Sequence, residues 1–493
     1  MLLCIATANA EPVGLDRART VALNFLRNTE PGIDQLTIQS LHDITSTTPF
    51  REFYVFSINN GFILVSGDDC ALPILGYSTS NTFVGKDIPE HVKSWLDSYE
   101  EQIYEMKRNN TSAGPEVRNA WMQLSAENNV PRFNSNNASA VAPLITTTWS
   151  QSPLYNNMCP YDSRYGSRAV TGCVATAMAQ IMRYWSWPVS GSGAYTYTHS
   201  TYGTLSANFN TTYDWNNMPT ALDTASTSAE IAATALLNYH CGVAVQMDYS
   251  TTGSGAHITG GAYYHSASYA LKSYFKYKAI EAFETNYNYA RWVALLKNEL
   301  DNNRPILYGG RGSYGGHAFV CDGYDTNSLF HFNWGWGGSY NGYFTIGSLN
   351  PGRYTFNSSV EILIGIEPSN CTYLPSYNYT LTPNDRWSTN LSTPDSGCWD
   401  IYKFSLVPGY TYTFKTCCDD GAWDNTSASL SMYDSLGYSL PNEYYNEYDE
   451  YYYYDNSLVE YNPTDTCYIF LKVELFCGPL CAPYPQTKAL FPL

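Results

Sequence analysis

At 493 residues the chain is too long for one ordinary core, so about two to four domains are expected. An apolar fraction of 44% and an aromatic fraction of 16% suit globular folding and exclude a chain disordered throughout. The formal charge of −18 repels phosphate backbones and anionic membrane surfaces, which argues against nucleic acid as a partner, and no apolar run reaches the ~18 residues of a membrane span.

The chain opens with MLLCIATANA, whose apolar start and Ala8-Asn9-Ala10 resemble the end of a secretory signal, so residues 1–10 are expected to be a signal remnant. Leu15 to Arg27 carries Ala18, Val21, Ala22 and Phe25 at helical spacing. Phe53 to Ile58 and Phe62 to Ser66 flank Asn59-Asn60-Gly61, a strong hairpin signal. Pro89 to Tyr104 places Val92, Trp95, Leu96, Tyr99 and Ile103 on one stripe of an amphipathic helix. Polar stretches follow at Asn109 to Gly114 and at Asn134 to Ser139, the second reading as an exposed linker open to proteolysis.

From Ala142 to Pro368 the pattern predicts a helix after Cys173, helices at Glu230 to Tyr239 and Ala290 to Asp301, then glycine-punctuated strands. These strands are Pro305 to Tyr308, Ala318 to Gly323 and Phe330 to Trp334. Helices first and strands second indicate an α+β fold. After Pro368, runs such as Thr411 to Lys415, Ala428 to Tyr433 and Tyr468 to Val473 alternate with turn residues, as in an all-β sandwich. Asn442 to Asp455 is an acidic tyrosine run that reads as an exposed loop, with a calcium site as the sharper alternative. Of thirteen cysteines, seven (Cys371, Cys398, Cys417, Cys418, Cys467, Cys477, Cys481) lie in the last quarter, which suggests disulfides and an oxidising compartment. The odd total leaves at least one thiol unpaired within the chain, and the upstream six are scattered.

The candidate chemistry begins at VTGCVATAMAQIM. Cys173 follows Gly172 and heads a helix, where the dipole and free N–H groups favour a thiolate. Taken alone, an apolar-flanked cysteine is more often a packing residue. Gly315-Gly316-His317 changes that balance, because its distance along the chain from Cys173 falls within the ~130–150 residues that papain-like enzymes place between nucleophile and base. Asn333-Trp334 then supplies an amide that can orient an imidazole and an indole that can shield that bond. His257 is the one rival base, and His331 reads as a packing or supporting residue. No paired spacing of Cys or His resembles a zinc site, so neither a metal nor a cofactor is expected.

Five stretches in order, WSQSPLYN from Trp149, VTGCVATAMAQIMRYW from Val170, YDWNNMP from Tyr213, GGHAFVCDGYD from Gly315 and FNWGWGGSYNGYF from Phe332, resemble the streptopain family of secreted, papain-like cysteine peptidases. NGFILVSGDDCALPILGYSTSNTF from Asn60, with the helix around Trp95, resembles the family's inhibitory propeptide. The resemblance implies a propeptide over 11–135, a papain-like peptidase over 136–368 and an added β-sandwich module over 369–493. It implies Cys173 as nucleophile, His317 as general acid and base, Gln151 as an oxyanion-hole amide, and Trp334 beside Asn333 as support for the histidine. Which of Asn333 and Trp334 contacts the imidazole stays open.

The expected function is therefore a secreted cysteine endopeptidase made as a zymogen. It would act on protein or peptide substrates and be held by its own propeptide, and its C-terminal module would bind a surface or substrate. The alternatives are a Cys-His amidase or acyltransferase acting on cell-wall peptides, and a binding protein with a degenerate peptidase domain. One departure is local: Asn350 to Asn357 is shorter than the glycine-rich loop of the family's streptococcal members, so leaving-group contacts are expected to differ.

Overall fold

The computed structural model describes residues 11–29, 40–126 except 87, 139–260, 265–350 except 313 and 314, and 360–369. Beyond these it describes the backbone of seven further strand segments between residues 378 and 490. The signal remnant, the linker near Asn134, residues 351–357 of the shortened loop and the acidic tyrosine run lie outside the described residues. The chain divides into two compact units, the first running to Thr259 and resuming over His265–Ser268 and Ala279–Ile366, the second including Tyr269–Lys278 and the strands after Glu367.

The first unit is organised on a ten-stranded sheet. Its strands are β1 (His42–Asp43), β2 (Phe53–Ile58), β3 (Gly61–Ser66), β4 (Ile74–Ser78), β5 (Tyr277–Phe283), β6 (Ile306–Gly312), β7 (Gly315–Tyr324), β8 (Phe330–Asn333), β9 (Gly342–Phe344) and β10 (Glu361–Pro368). They lie in the order β1-β2-β3-β4-β9-β8-β7-β6-β10-β5. The Asn59-Asn60 turn closes the predicted hairpin, with Ile58 opposite Gly61 and Phe53 opposite Ser66.

Alternation along these strands feeds two cores, because successive side chains point to opposite faces. Phe62 and Leu64 join one cluster, Ile63 and Val65 the other. That is why β3 is buried along its whole length rather than at every second residue. Helix α1 (Leu15–Thr29) and helix α3 (Pro115–Ser125) cover the second face through Val21, Phe25, Val117 and Trp121. Helix α2 (Glu90–Arg108) covers the first through Val92, Leu96, Tyr99 and Ile103. Helix α3 was not anticipated; Pro115 at its first turn, a position that needs no N–H donor, is the signal that marks it.

The residues read as a propeptide and those read as a peptidase share this sheet. Strand β4 pairs with β9, Tyr77 opposite Tyr343 and Gly76 opposite Phe344. Gly76 permits the approach: a Cβ there would sit 2.7 Å from the Phe344 ring. The α2 face also packs into one cluster with Tyr308, Phe319, Phe332, Trp334 and Phe344. Polar contacts follow the same seam, Tyr99 donating to the Thr345 carbonyl at 2.5 Å and Tyr77 to Asp325 at 3.0 Å.

Helix α4 (Cys173–Trp185) packs against helix α5 (Ser228–Ala244) and strand β7. Thr227 caps α5 in a reciprocal box with Glu230. Helix α6 (Tyr289–Asp301) adds Trp292, Leu295, Leu296 and Leu300 to the larger core. Helices α4 to α6 and strands β6, β7 and β8 match the predicted ones to within a few residues at their ends, whereas strands β1, β4, β5, β9 and β10 were not anticipated.

In the second unit, Asn378–Thr380, Trp399–Leu406, Cys467–Cys477 and Thr426–Asp434 form one sheet. Leu458–Tyr461, Tyr412–Cys417 and Lys488–Leu490 form another. The predicted runs all become strands, and the expected disulfides among Cys371 to Cys481 lie outside the described side chains. Upstream, Cys70, Cys159, Cys173, Cys241 and Cys321 are free thiols.

Candidate active site

Cys173 is the first residue of α4, and the turn that delivers it strongly favours glycine. Gly172 has φ +89°, which L side chains rarely adopt. A Cβ there would lie 2.6 Å from the Met247 thioether and 3.0 Å from the Ser254 carbonyl. The same loop braces the approach, Val170 donating to the Ser250 carbonyl and the Ser254 hydroxyl to the Val170 carbonyl. After Cys173 the helix is buried from Val174 to Met182, which small residues allow.

The backbone N–H of Ala318, the residue after His317, and N–H groups at the cysteine's own helix end favour the Cys173 thiolate. The imidazole-bearing stretch of β7 thus lies against the nucleophile helix, with His317 opposite Gly310 and Ala318 opposite Gly309. Burial pushes the Cys173 thiol up, and the N–H donors only partly offset it. Burial likewise lowers His317 to about 4. Both shifts favour the neutral forms of the two groups. The helix-end effect expected from the sequence is present but smaller than desolvation.

Gln151 is buried and its carbonyl accepts from the N–H of Thr171 at 3.2 Å, two residues before Cys173. Asn333 ends β8 opposite Val320, three positions along β7 from His317. Its Nδ2 donates to the Thr147 carbonyl at 2.7 Å, and its Oδ1 accepts from Gln180 at 3.2 Å and from the N–H of Gly335 at 3.1 Å. Trp334 is buried with its indole N–H donating to the Tyr340 carbonyl at 3.0 Å and its ring 4.5 Å from that of Phe319. Cys173, the His317–Ala318 backbone and the Gln151 segment therefore come together, while the Asn333 amide is bonded to Gln180, Thr147 and Gly335. The backbone carbonyl of His257 accepts from the N–H of Ala267 at 2.9 Å.

Two supporting features went unread in the sequence. Gln180 is one, a polar residue seven positions after Cys173 inside an apolar run, which is the signal that could have marked it. The other is Asp322, the buried partner of His331, itself expected to pack or support: His331 Nδ1 meets Asp322 Oδ1 at 2.6 Å, and the second carboxylate oxygen accepts from the N–H of Ile145 at 2.9 Å. Asp322 occupies a β-bulge on β7, a position invisible to a period-2 pattern. Among the described residues, no group of three or more His, Cys, Asp or Glu could hold a metal ion, and no helix is long and apolar enough to cross a membrane.

Two family models match the chain, one described as the Peptidase C10 family over residues 149–344 and one as Spi protease inhibitor over residues 10–103. The chain is 34% identical over 336 residues to streptopain of Streptococcus pyogenes, covering 64% of this chain and 80% of streptopain. It is 31% identical over 386 residues to the thiol protease/hemagglutinin PrtT of Porphyromonas gingivalis, covering 75% of this chain but only 43% of that longer protein. A solved fragment of Prevotella intermedia prointerpain A superposes with a TM-score of 0.54 at 34% identity, over 66% of this chain and 98% of that one.

Proposed function

The chain belongs to the Peptidase C10 family and is a cysteine endopeptidase carrying its inhibitory propeptide, and on that premise we propose which residues perform the reaction. Cys173 is the nucleophile and His317 the general acid and base. The Cys173 N–H and the Gln151 side-chain amide form the oxyanion hole, and Trp334 supports the β7–β8 end of the site. The observation that carries this reading is the packing of helix α4, which Cys173 heads, against strand β7, which carries His317; Cys173 is the one partly exposed cysteine among the five described.

The reaction follows from these positions. Once the N-terminal region is cleaved away, water and substrate dipoles reach the pair, and the Cys173 proton passes to His317 to give a thiolate and an imidazolium. The thiolate attacks the scissile carbonyl carbon, and the two N–H donors hold the oxyanion, each worth about 2.7–4 kcal/mol in comparable sites. The imidazolium protonates the leaving amine as the C–N bond breaks, leaving a thioester. His317 then takes a proton from water as it attacks, and the acid product leaves with the thiolate restored.

Substrates in this reading are proteins and peptides, and the natural setting is outside the cell, consistent with the Ala8-Asn9-Ala10 site and the cysteine-rich C-terminal region. The strands after residue 369 are assigned to binding a surface or a substrate, on their pattern alone.

The test is to incubate the purified full-length chain with reductant, sequence the N-termini of the products and assay casein hydrolysis. Cys173→Ser and His317→Ala are each expected to lower casein hydrolysis by at least ~10⁴-fold and to leave the precursor uncut. Wild-type protein that is processed and alkylated at Cys173 yet leaves casein intact while cutting cell-wall peptides would replace this reading with the amidase one.

A further inference from the structure

We propose that Gln180 is a positioning residue that holds the oxyanion-hole arm, residues 147–151, in place against the nucleophile helix. The inference rests on the reading of Gln151 given above and adds a residue to it. Gln180 lies two turns after Cys173 on the same helix and is fully buried. A buried primary amide amid apolar residues is costly unless all its hydrogen-bonding capacity is met.

Here the amide is met by the 147–149 segment and by Asn333, which itself bonds that segment. Its Oε1 accepts from the Thr147 hydroxyl at 3.0 Å and from the Trp149 N–H at 3.1 Å. It also faces the Asn333 Nδ2 at 3.3 Å, while its Nε2 donates to Asn333 Oδ1 at 3.2 Å. Asn333 in turn donates to the Thr147 carbonyl at 2.7 Å, so both amides converge on the arm. The Gly337 N–H closes the ring on the Trp149 carbonyl at 3.2 Å.

The geometric consequence is specific. The arm carries Gln151 only two residues beyond Trp149, and Gln151 is tied to the Cys173 turn at Thr171. Its placement is thus set from both sides, at Thr171 by the main chain and at Trp149 by the Gln180 side chain. An oxyanion donor displaced by about 1 Å loses much of its effect, because the stabilisation depends on donors aimed in advance at the developing charge. Gln180 touches neither substrate nor the reacting atoms, so its action runs through Gln151.

A double-mutant cycle tests this in the activated enzyme, using a chromogenic peptide for kcat and KM and iodoacetamide for the reactivity of Cys173. Gln180→Leu should lower kcat at least tenfold with KM and the alkylation rate within threefold of wild type, because the thiol is untouched. In the Gln151→Ala background the same substitution should cost less than threefold, since the donor it positions is already gone. Gln180→Glu, which keeps the acceptor for Thr147 and Trp149, should recover part of the lost kcat.

Full additivity of Gln180→Leu with Gln151→Ala overturns the proposal, as does equal loss of kcat and alkylation. If Gln180→Leu does not fold, Thr147→Val decides: it must lower kcat in the wild type and not in the Gln151→Ala background, and an unchanged kcat rejects the proposal. A Gln151→Ala enzyme with normal kcat removes the premise and the proposal with it. Failure of the Cys173 reading is distinguished by a Cys173→Ser protein that still cuts the peptide.

Discussion

Trp95 meets Trp334 edge-on, the ring centroids 6.3 Å apart and the planes inclined at 62°. The same Trp95 ring contacts Phe332 at 5.0 Å, Phe319 at 5.9 Å and Tyr308 at 6.0 Å, and its N–H donates to the Tyr99 hydroxyl. One side chain of the inhibitor-like region therefore joins the aromatic cluster formed by β6, β7 and the end of β8.

Trp95→Ala should destabilise the precursor by about 2–4 kcal/mol, the aromatic contacts and the void both contributing. Urea unfolding of the Cys173→Ala protein, which lacks the proposed nucleophile, measures this directly. The wild-type background should also lose its N-terminal region faster. An unchanged unfolding midpoint would show that α2 is held by its backbone contacts alone.

Gly172→Ala tests the turn that presents the thiol. The positive φ and the contact with Met247 should together cost about 1–3 kcal/mol and displace Cys173. Alkylation of Cys173 should slow along with peptide hydrolysis, in contrast to the pattern expected of Gln180→Leu. Normal alkylation would mean that Met247 gives way without moving the helix end.

A third expectation concerns pH. His240 is buried with its Nδ1 2.9 Å from the Tyr213 hydroxyl, and burial lowers its pKa to about 4. An unfolded histidine titrates near ~6.5, so between about 6.5 and about 4 the unfolded chain binds a proton that the folded chain refuses. The neutral folded form is fully favoured above that window, and stability is lost as pH falls through it, by up to about 3 kcal/mol from His240. His317 acts in the same direction. Unfolding of the Cys173→Ala protein at pH 7, 5.5 and 4 should show this loss, and His240→Phe should reduce it; equal slopes in the two proteins would refute the assignment to His240.

Much of the first unit was legible because its signals are local. The Asn59-Asn60-Gly61 turn, the stripe from Val92 to Ile103 and the glycines before His317 each act within a few residues. Helix α3 was not read, because its apolar positions Val117, Trp121 and Leu124 are few and its neighbours polar. The bulge at Asp322 was not read either, since an extra residue in a strand depends on the partner strand. The Gln151–Thr171 and Gln180–Trp149 bonds join segments distant in sequence, which no local pattern reports.

The sequence by itself determined the family, with its inhibitor-like region ahead of its peptidase-like region, because these are carried by residue type, spacing and period. Tertiary structure alone decided three further matters. It merged the propeptide and peptidase into one sheet, since β4 finds its partner in β9, more than 250 residues later. It bonded the Asn333 amide to Gln180 and Thr147, because buried polar groups take whatever partners the packing brings within reach. It also shifted Cys173 and His317 toward their neutral forms, because the desolvation of a charge depends on everything packed around it, and that outweighed the helix end read from VTGCVATAMAQIM.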